Sequence, residues 1–181
     1  MSENNQELSR RELRNKAIKR YEKERLRNRL LAEPGAHELV LVLDSLKSGF
    51  NVPKLFRSAE AFGAREVHLI DIGFFDPAPA KGAFRKVPAK FHETFDQCYQ
   101  LLKKEGYAVY ALNFDTDVVL QEVVFPDKSA FILGNEELGI SIDLKDYPDI
   151  QTIRIAQHGN VQSLNVSIAG SIVMYEYLRQ R

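Results

Sequence analysis

From residue 35 onward the chain alternates between short apolar runs and helical stretches, and this alternation limits its fold more than any other feature. Five compact apolar runs, bounded by polar or turn residues, are predicted as buried strands at 38–43, 66–70, 107–112, 129–133 and 150–155. Helical spacing of apolar residues predicts helices at 52–62, 94–105 and 163–179. Strands that alternate with helices predict an α/β fold, a parallel sheet with helices on both faces.

The first 33 residues form a basic segment in a chain that is neutral overall. They carry ten Lys and Arg against six Glu, whereas the whole chain has 25 basic and 25 acidic residues. Residues 9–31 lack Pro and Gly and are rich in helix formers, which predicts a helix that ends before Pro34. Its apolar residues form only a thin stripe: Leu13, Ala17, Tyr21 and Leu31. We therefore expect loose docking, with the basic faces either simply solvated or free to contact phosphates.

Length and composition narrow the class of protein. A chain of 181 residues with 44% hydrophobic residues suits one compact domain, here 34–181, preceded by the helical extension 1–33. One cysteine excludes an internal disulfide, and no signal-like stretch or run of about 18 apolar residues is present. We expect a cytoplasmic protein without membrane contact. Its four histidines are scattered along the sequence, so we expect no metal site: His37, His68, His92 and His158.

Three junctions after predicted strands are candidate ligand sites, because open α/β sheets bind ligands beyond the carboxyl ends of their strands. At 44–57, Asn51 is expected to cap a helix, with Arg57 two turns on and near the edge of the sheet. A capping Asn followed by an ordinary surface Arg is the simpler alternative. A functional role for Asn51 and Arg57 is therefore supported only if the other two junctions also carry residues suited to a ligand site.

The second junction, GNEELG at 134–139, places two glycines and Glu136 directly after an apolar strand. It matches neither the dinucleotide fingerprint nor a P-loop. The third junction, HGNVQSLNVS at 158–167, leads Ser163 and Asn165 into an apolar helix. Ser163 is either the N-cap of that helix or part of a ligand site built from small polar groups and backbone N–H groups.

Three motifs together resemble a known family. NVPKLFRSAEAFG at 51–63, FILGNEELG at 131–139 and IRIAQHGNVQSLNVSIAGSI at 153–172 are similar, in order and spacing, to motifs of the SpoU/TrmH family of RNA ribose methyltransferases. The resemblance spans roughly residues 37–178. One departure is that a segment often written Ile-Pro-Met in the family reads Ile155-Ala156-Gln157 here.

The resemblance implies a SPOUT-type fold whose C-terminal segment forms a deep trefoil knot around an S-adenosyl-L-methionine site. It also implies a homodimer that methylates a ribose 2′-hydroxyl of tRNA or rRNA, with no metal. By motif position it implies a catalytic set: Asn51, Arg57, Glu136, Ser163 and Asn165. Backbone and apolar groups are expected to bind the cofactor: Leu112, Leu133, Gly134, Ile155, Ser163 and Leu164.

The chemistry assigns Arg57 a specific role. A guanidinium has five donors and no acceptor, so we expect Arg57 to hold a phosphate and stabilise charge on the 2′-oxygen while the phosphate or a water takes the proton. The basic helix is expected to contact the RNA backbone. Phe74 and Phe75 are expected either to stack on an unpaired base or to pack in a dimer.

Two other functions remain open from the sequence. The first is a catalytically inactive RNA-binding protein with the same fold, which the presence of the complete motif set disfavours. The second is a different α/β enzyme that uses a nucleotide or phosphate cofactor, against which the missing phosphate-loop signatures count.

Overall fold

The computed structural model describes residues 9–47, 49–161 and 163–181. Its strands form one parallel sheet of six: β1 (His37–Asp44), β2 (Ala64–Ile70), β3 (Ala89–His92), β4 (Ala108–Leu112), β5 (Ser129–Leu133) and β6 (Gln151–Ile153). Across the sheet the order is β3-β2-β1-β5-β4-β6, and every pairing is parallel. The α/β class and the parallel sheet expected from the sequence are confirmed.

Helices cover both faces of this sheet: α1 (Arg10–Leu31), α2 (Asn51–Ala61), α3 (Phe95–Lys104) and α4 (Val166–Arg179). Side chains of β1 alternate between the two apolar cores, with Leu41 facing the core under α2 and α4 and Val42 facing the core under α3. Gly170 lets α4 approach closely, since a Cβ there would lie 2.5 Å from Leu55 Cδ2. Within the described ranges, no helix has both the length and the apolar character needed to span a bilayer.

The sequence missed one strand and misplaced the bounds of several elements, most of all those of the last strand and the last helix. β3 has only four residues, AKFH, and all are half-buried at the edge of the sheet, so they show no compact apolar run. The last strand is shorter than predicted, at Gln151–Ile153, and the last helix begins at Val166 rather than at residue 163.

The basic helix α1 docks through its second half. Asn28 is buried, and its Nδ2 donates to the carbonyls of Phe84, at 2.5 Å, and Val87, at 2.7 Å. Tyr21 is also buried and packs against three aromatic rings on the body of the protein. Leu13, by contrast, is 53% exposed. The expected thin contact therefore consists of a few specific anchors rather than an apolar stripe.

Phe74 and Phe75 have different environments. Phe75 is fully buried between Phe56, Phe84 and Tyr21, so it is unavailable for stacking on a base or packing in a dimer, and that expectation is wrong for Phe75. Phe74 is 37% exposed and meets the Tyr21 ring edge to face. Of these two adjacent aromatic residues, Phe75 thus belongs to the core and Phe74 lies at the edge of the contact between α1 and the rest of the protein.

The histidines are scattered along the sequence, but the expectation that they form no cluster is wrong, because His68 and His92 meet beside Cys98, the only cysteine in the sequence. The rings of His68 and His92 lie 4.9 Å apart, and His68 Nδ1 is 3.1 Å from both His92 Nε2 and Cys98 Sγ. Burial raises the pKa of the Cys98 thiol to about 12, and burial together with the neighbouring His68 lowers the pKa of His92 to about 4. We call these three residues the His-His-Cys cluster.

Candidate active site

A cavity of 630 Å³ opens at the carboxyl edge of the sheet, where β4, β5 and β6 end. The residues expected to bind the cofactor all line it: Leu112, Leu133, Gly134, Ile155, Ser163 and Leu164. Glu136 and Asn165 line it as well. Because β5, β4 and β6 are neighbours in a parallel sheet, the loops that follow them leave the same edge side by side and enclose one space.

A chain of hydrogen bonds joins the three junctions. Glu136 Oε1 accepts from Asn51 Nδ2 at 2.7 Å, and Glu136 Oε2 accepts from the backbone N–H of Lys47 at 3.1 Å. Asn51 Oδ1 in turn accepts from Asn165 Nδ2 at 3.2 Å. Glu136 of the second junction therefore binds the first junction through both of its carboxylate oxygens. Asn51 of the first junction binds Asn165 of the third.

Asn51 does not cap α2, which corrects that expectation, and the structure excludes the N-cap alternative for Ser163. Asn51 is the first residue of α2, and Phe50 occupies the N-cap position without a side-chain hydrogen bond. Asn165 caps α4 instead, since its Oδ1 accepts from the Ser167 backbone N–H at 2.9 Å. The amide of Asn51 is thereby available to Glu136 and Asn165, while Ser163 lies in the loop that lines the cavity.

Two predicted site residues are absent from the cavity wall: Asn51, which is hydrogen-bonded to Glu136 and Asn165 of the wall, and Arg57, which is hydrogen-bonded to neither of them. Arg57 lies six residues after Asn51 on α2, about 9 Å along the helix axis, and it is exposed. Its guanidinium has no ion pair or hydrogen bond with any residue that the structure describes. The expectation that it lies nearer the sheet edge than bulk solvent is therefore wrong.

The glycines of the second motif shape the loop itself. A Cβ at Gly134 would lie 2.5 Å from the carbonyl carbon of Gly139, and Gly139 has a φ of +75°. The backbones of Asn135 and Gly139 exchange hydrogen bonds of 2.7 and 2.9 Å, which closes the loop. This tight turn holds Glu136 beside the start of α2.

Sequence reasoning missed two residues that support this edge of the sheet. Asn135 Nδ2 donates to the Ser45 carbonyl at 2.6 Å. Asp44 is fully buried, and its carboxylate accepts from the backbone N–H and hydroxyl of Ser141 at 2.6 and 2.8 Å. Asp44 could have been predicted from the sequence, because it ends an otherwise apolar strand and a buried carboxylate requires hydrogen-bond partners.

Gln157 is a third residue that the expected site left out. It stands in the cavity wall, and its buried Oε1 has no hydrogen-bond partner among residues 9–47, 49–161 and 163–181. A buried amide oxygen without a partner is costly, so a ligand that donates a hydrogen bond here would be stabilised. The departure Ile155-Ala156-Gln157 thus places an acceptor in the wall.

Comparisons with known proteins agree with this architecture. The model of the SpoU rRNA Methylase family matches residues 38–175. The tRNA (guanosine(18)-2′-O)-methyltransferase of Escherichia coli is 31% identical over 148 residues, which cover 80% of this chain and 64% of that protein. A second similar protein is known from a solved structure that concerns the 2-OH methylation of C/U34 on tRNA. Its TM-score with this chain is 0.72 at 27% sequence identity, and the match covers 81% of this chain and 97% of that one.

A further structure, the SpoU methyltransferase AviRb from Streptomyces viridochromogenes in complex with AdoMet, shares the fold. Its TM-score is 0.72 at 22% identity, over 81% of this chain and 59% of that one. The fold and the cavity thus define a parallel α/β protein with its site at the carboxyl edge. The chain belongs to the SpoU rRNA Methylase family.

We predict that Glu136→Gln destabilises the protein more than the neighbouring change Glu137→Gln. A glutamine has one acceptor oxygen, so the N–H of Lys47 or the amide of Asn51 then faces an NH₂ group, and the free energy of unfolding should fall by about 1–3 kcal/mol. Glu137 is 68% exposed and pairs with Lys47 at the surface, so its change should cost less than about 0.5 kcal/mol. Urea denaturation measures both, and equal losses would contradict the network.

Proposed function

We propose that this protein is an S-adenosyl-L-methionine-dependent methyltransferase that methylates a ribose 2′-hydroxyl of tRNA or rRNA. The observation that carries the proposal is that the second and third motif segments line one cavity, and that Asn51 of the first segment is hydrogen-bonded to two residues of its wall, Glu136 and Asn165. The names of its relatives supply the reaction and the RNA classes. A cytoplasmic location is part of the proposal, since tRNA and rRNA are present there.

The cavity wall suits the adenosyl part of the cofactor. Leu112, Leu133 and Ile155 supply aliphatic surface for a flat, apolar ring. Gly134 and Ser163 add backbone groups, and Gln157 adds a buried acceptor that fits an amino or hydroxyl hydrogen of the adenosyl group. When bound, the cofactor supplies the electrophilic methyl group, while these residues fix its position.

Cofactor binding is tested by calorimetric titration with S-adenosylhomocysteine. We expect the wild-type chain to bind it and Gln157→Met to weaken binding about fivefold, the loss of one hydrogen bond worth about 1 kcal/mol. Gln151→Met, at an exposed position on β6, is the matched control and should leave binding unchanged. A preference for ATP or NAD would contradict the proposed function, whereas unaltered affinity in Gln157→Met would contradict only the role of Gln157.

Arg57 is proposed to act on the RNA rather than on the cofactor. Its exposed guanidinium is free to form a planar, bidentate contact with a phosphate next to the reacting ribose. Negative charge that develops on the 2′-oxygen would be stabilised by the same cation, and the phosphate or a water would accept the proton. Asn51, Glu136, Ser163 and Asn165 are proposed to orient the ribose, where placement alone lowers the barrier.

Methyl transfer tests both the activity and this role. The labelled methyl group of S-adenosylmethionine should appear in 2′-O-methylated nucleosides of tRNA or rRNA isolated from cells that lack the protein. Arg57→Lys should lower kcat/KM at least tenfold, about 1.4 kcal/mol, because an ammonium cannot form the planar contact. Arg65→Lys is the control, since Arg65 pairs with Glu38 at the opposite edge of the sheet. Full turnover in Arg57→Lys would rule out the clamp, and no transfer to either RNA would rule out the activity.

Residues 1–33 are proposed as a distinct RNA-contacting extension of the methyltransferase domain 34–181. α1 reaches from Leu31, near the start of β1, to Arg20, which binds Asp76 just beyond the end of β2. Its first ten residues therefore lie toward the carboxyl edge, where the cavity opens. Several exposed basic side chains on that half can neutralise phosphates: Arg10, Arg11, Arg14 and Lys16.

Charge reversal tests this extension better than deletion, which would remove the buried Asn28 and Tyr21. In the double variant Arg10→Glu/Arg14→Glu, α1 should persist, since acidic residues suit a helix N-terminus. RNA affinity should fall, and the slope of log affinity against log salt should shrink by about one to two, with cofactor affinity unchanged. Lys104→Glu/Lys145→Glu is the control. Equal slopes in wild type and in the α1 variant would exclude the extension from RNA binding.

Two further family features are proposed on the basis of particular contacts. Exposed apolar residues at the start of α2 and on α4 fit a homodimer interface, namely Phe50 at 70%, Ile168 at 52% and Tyr175 at 60% exposure. The chain after β6 pairs with the β4–β5 loop at Arg154 and then returns to pack α4 on α2, which fits a trefoil knot. Sedimentation equilibrium tests the dimer, and an experimental trace of residues 113–166 tests the knot.

A further inference from the structure

The His-His-Cys cluster lies on the face of the sheet that α3 covers and plays no part in the proposed methyl transfer. His68 comes from β2, His92 from the edge strand β3, and Cys98 from α3. Their ligand atoms, two imidazole nitrogens and one sulfur, lie within 4.8 Å of one another. His68 and Cys98 are fully buried and His92 is half-buried. The cluster thus joins three elements that are otherwise linked by packing and one strand pairing.

The lone pair on His68 Nδ1 faces two possible hydrogen-bond donors, Cys98 and His92. His68 Nε2 lies 2.8 Å from Glu66 Oε1, and Lys90 Nζ binds the same oxygen at 2.7 Å. A carboxylate held by the Lys90 ammonium can only accept hydrogen bonds, so the geometry assigns the proton of the His68–Glu66 contact to His68 Nε2. His68 Nδ1 then presents a single lone pair to Cys98 Sγ and His92 Nε2, which can donate to it only one at a time.

A metal ion uses all three converging atoms at once. Two nitrogens and a thiolate are a donor set that zinc favours, and three protein ligands with an open fourth position are a common zinc arrangement. Zinc bond lengths at tetrahedral angles separate two nitrogens by about 3.4 Å and a nitrogen and a sulfur by about 3.6 Å. The two separations that involve His68 Nδ1, both 3.1 Å, are only a few tenths of an ångström shorter, and the ligand atoms of His92 and Cys98 lie within 4.8 Å of each other.

We propose that His68, His92 and Cys98 bind a zinc(II) ion, with a water molecule as the fourth ligand. Glu66 then orients the His68 ring from behind, as carboxylates do for many metal-binding histidines. The planes of the two imidazoles are 28° apart, so binding includes a turn of the half-buried His92 ring toward the ion. The ion ties β3, the short edge strand, to β2 and α3. This site is independent of the proposed methyltransferase function.

Cobalt(II) substitution tests the site directly on the full chain without an affinity tag. We expect one cobalt ion per chain, the intense visible bands of a four-coordinate ion, and a thiolate-to-cobalt charge-transfer band that zinc abolishes. Cys98 is the only cysteine in the sequence, so that band reports this site alone. Cobalt at saturating concentration without the thiolate band would overturn the proposal.

Variants locate the ligands. Cys98→Ser should lose the charge-transfer band, His92→Asn should weaken zinc binding at least tenfold, and Glu66→Gln should weaken it about tenfold to a hundredfold. His158→Asn, which removes an exposed imidazole outside the cluster, should leave zinc affinity unchanged. Equal affinity in wild type and His92→Asn, or an equal loss in His158→Asn, would overturn the proposal.

Thermal unfolding of the wild-type chain tests the site without substituting a buried residue such as Cys98, whose variant could fail to fold. Zinc should raise the melting temperature of the wild-type chain progressively with its concentration, because an ion that binds only the folded state stabilises it. The same rise is expected for His158→Asn, and a smaller rise at each zinc concentration is expected for His92→Asn, whose half-buried position allows the variant to fold. A wild-type melting temperature that zinc leaves unchanged would count against the site even if Cys98→Ser failed to fold.

Discussion

The carboxylate of Glu136 is the contact on which the arrangement of the cavity depends. Each of its oxygens accepts a hydrogen bond from the segment after β1, one from the backbone of Lys47 and one from the side chain of Asn51. Asn51 passes the connection on to Asn165 at the start of α4. A single charged group therefore fixes the mutual position of three loops far apart in sequence. The tight turn between Gly134 and Gly139 keeps that group in place.

The parts of this site that could be predicted from the sequence follow from sheet geometry. Buried parallel strands are continuous apolar runs, so β1 and β5 can be predicted from this sequence without comparison to a homologue. Once the strands are parallel, the segments that follow them must leave the same edge. Sheet geometry thus predicts that the second and third junctions lie at one edge, whereas the catalytic set and the six cofactor residues were expected from the resemblance to the SpoU/TrmH family. The six cofactor residues, Glu136 and Asn165 line the cavity.

The features that could not be predicted depend on side-chain direction and on the register between strands. Whether Asn51 caps α2 or faces Glu136, and whether Arg57 faces the cavity or solvent, depends on how α2 is rotated against the sheet. His68 and His92 are 24 residues apart, and they meet only because β3 pairs with β2 in the register that sets His92 against Ile70. A four-residue edge strand leaves no periodic signal from which that register could be inferred.

The uneven attachment of α1 has a consequence for how such a protein can diverge. Its second half is bound to the body through Asn28 and Tyr21, whereas the exposed residues of its first half contribute little to folding. Substitutions there can alter the charge and shape of the exposed half of the helix while the α/β body stays intact. Selectivity for new binding partners can therefore evolve along one exposed helical arm with little penalty in stability.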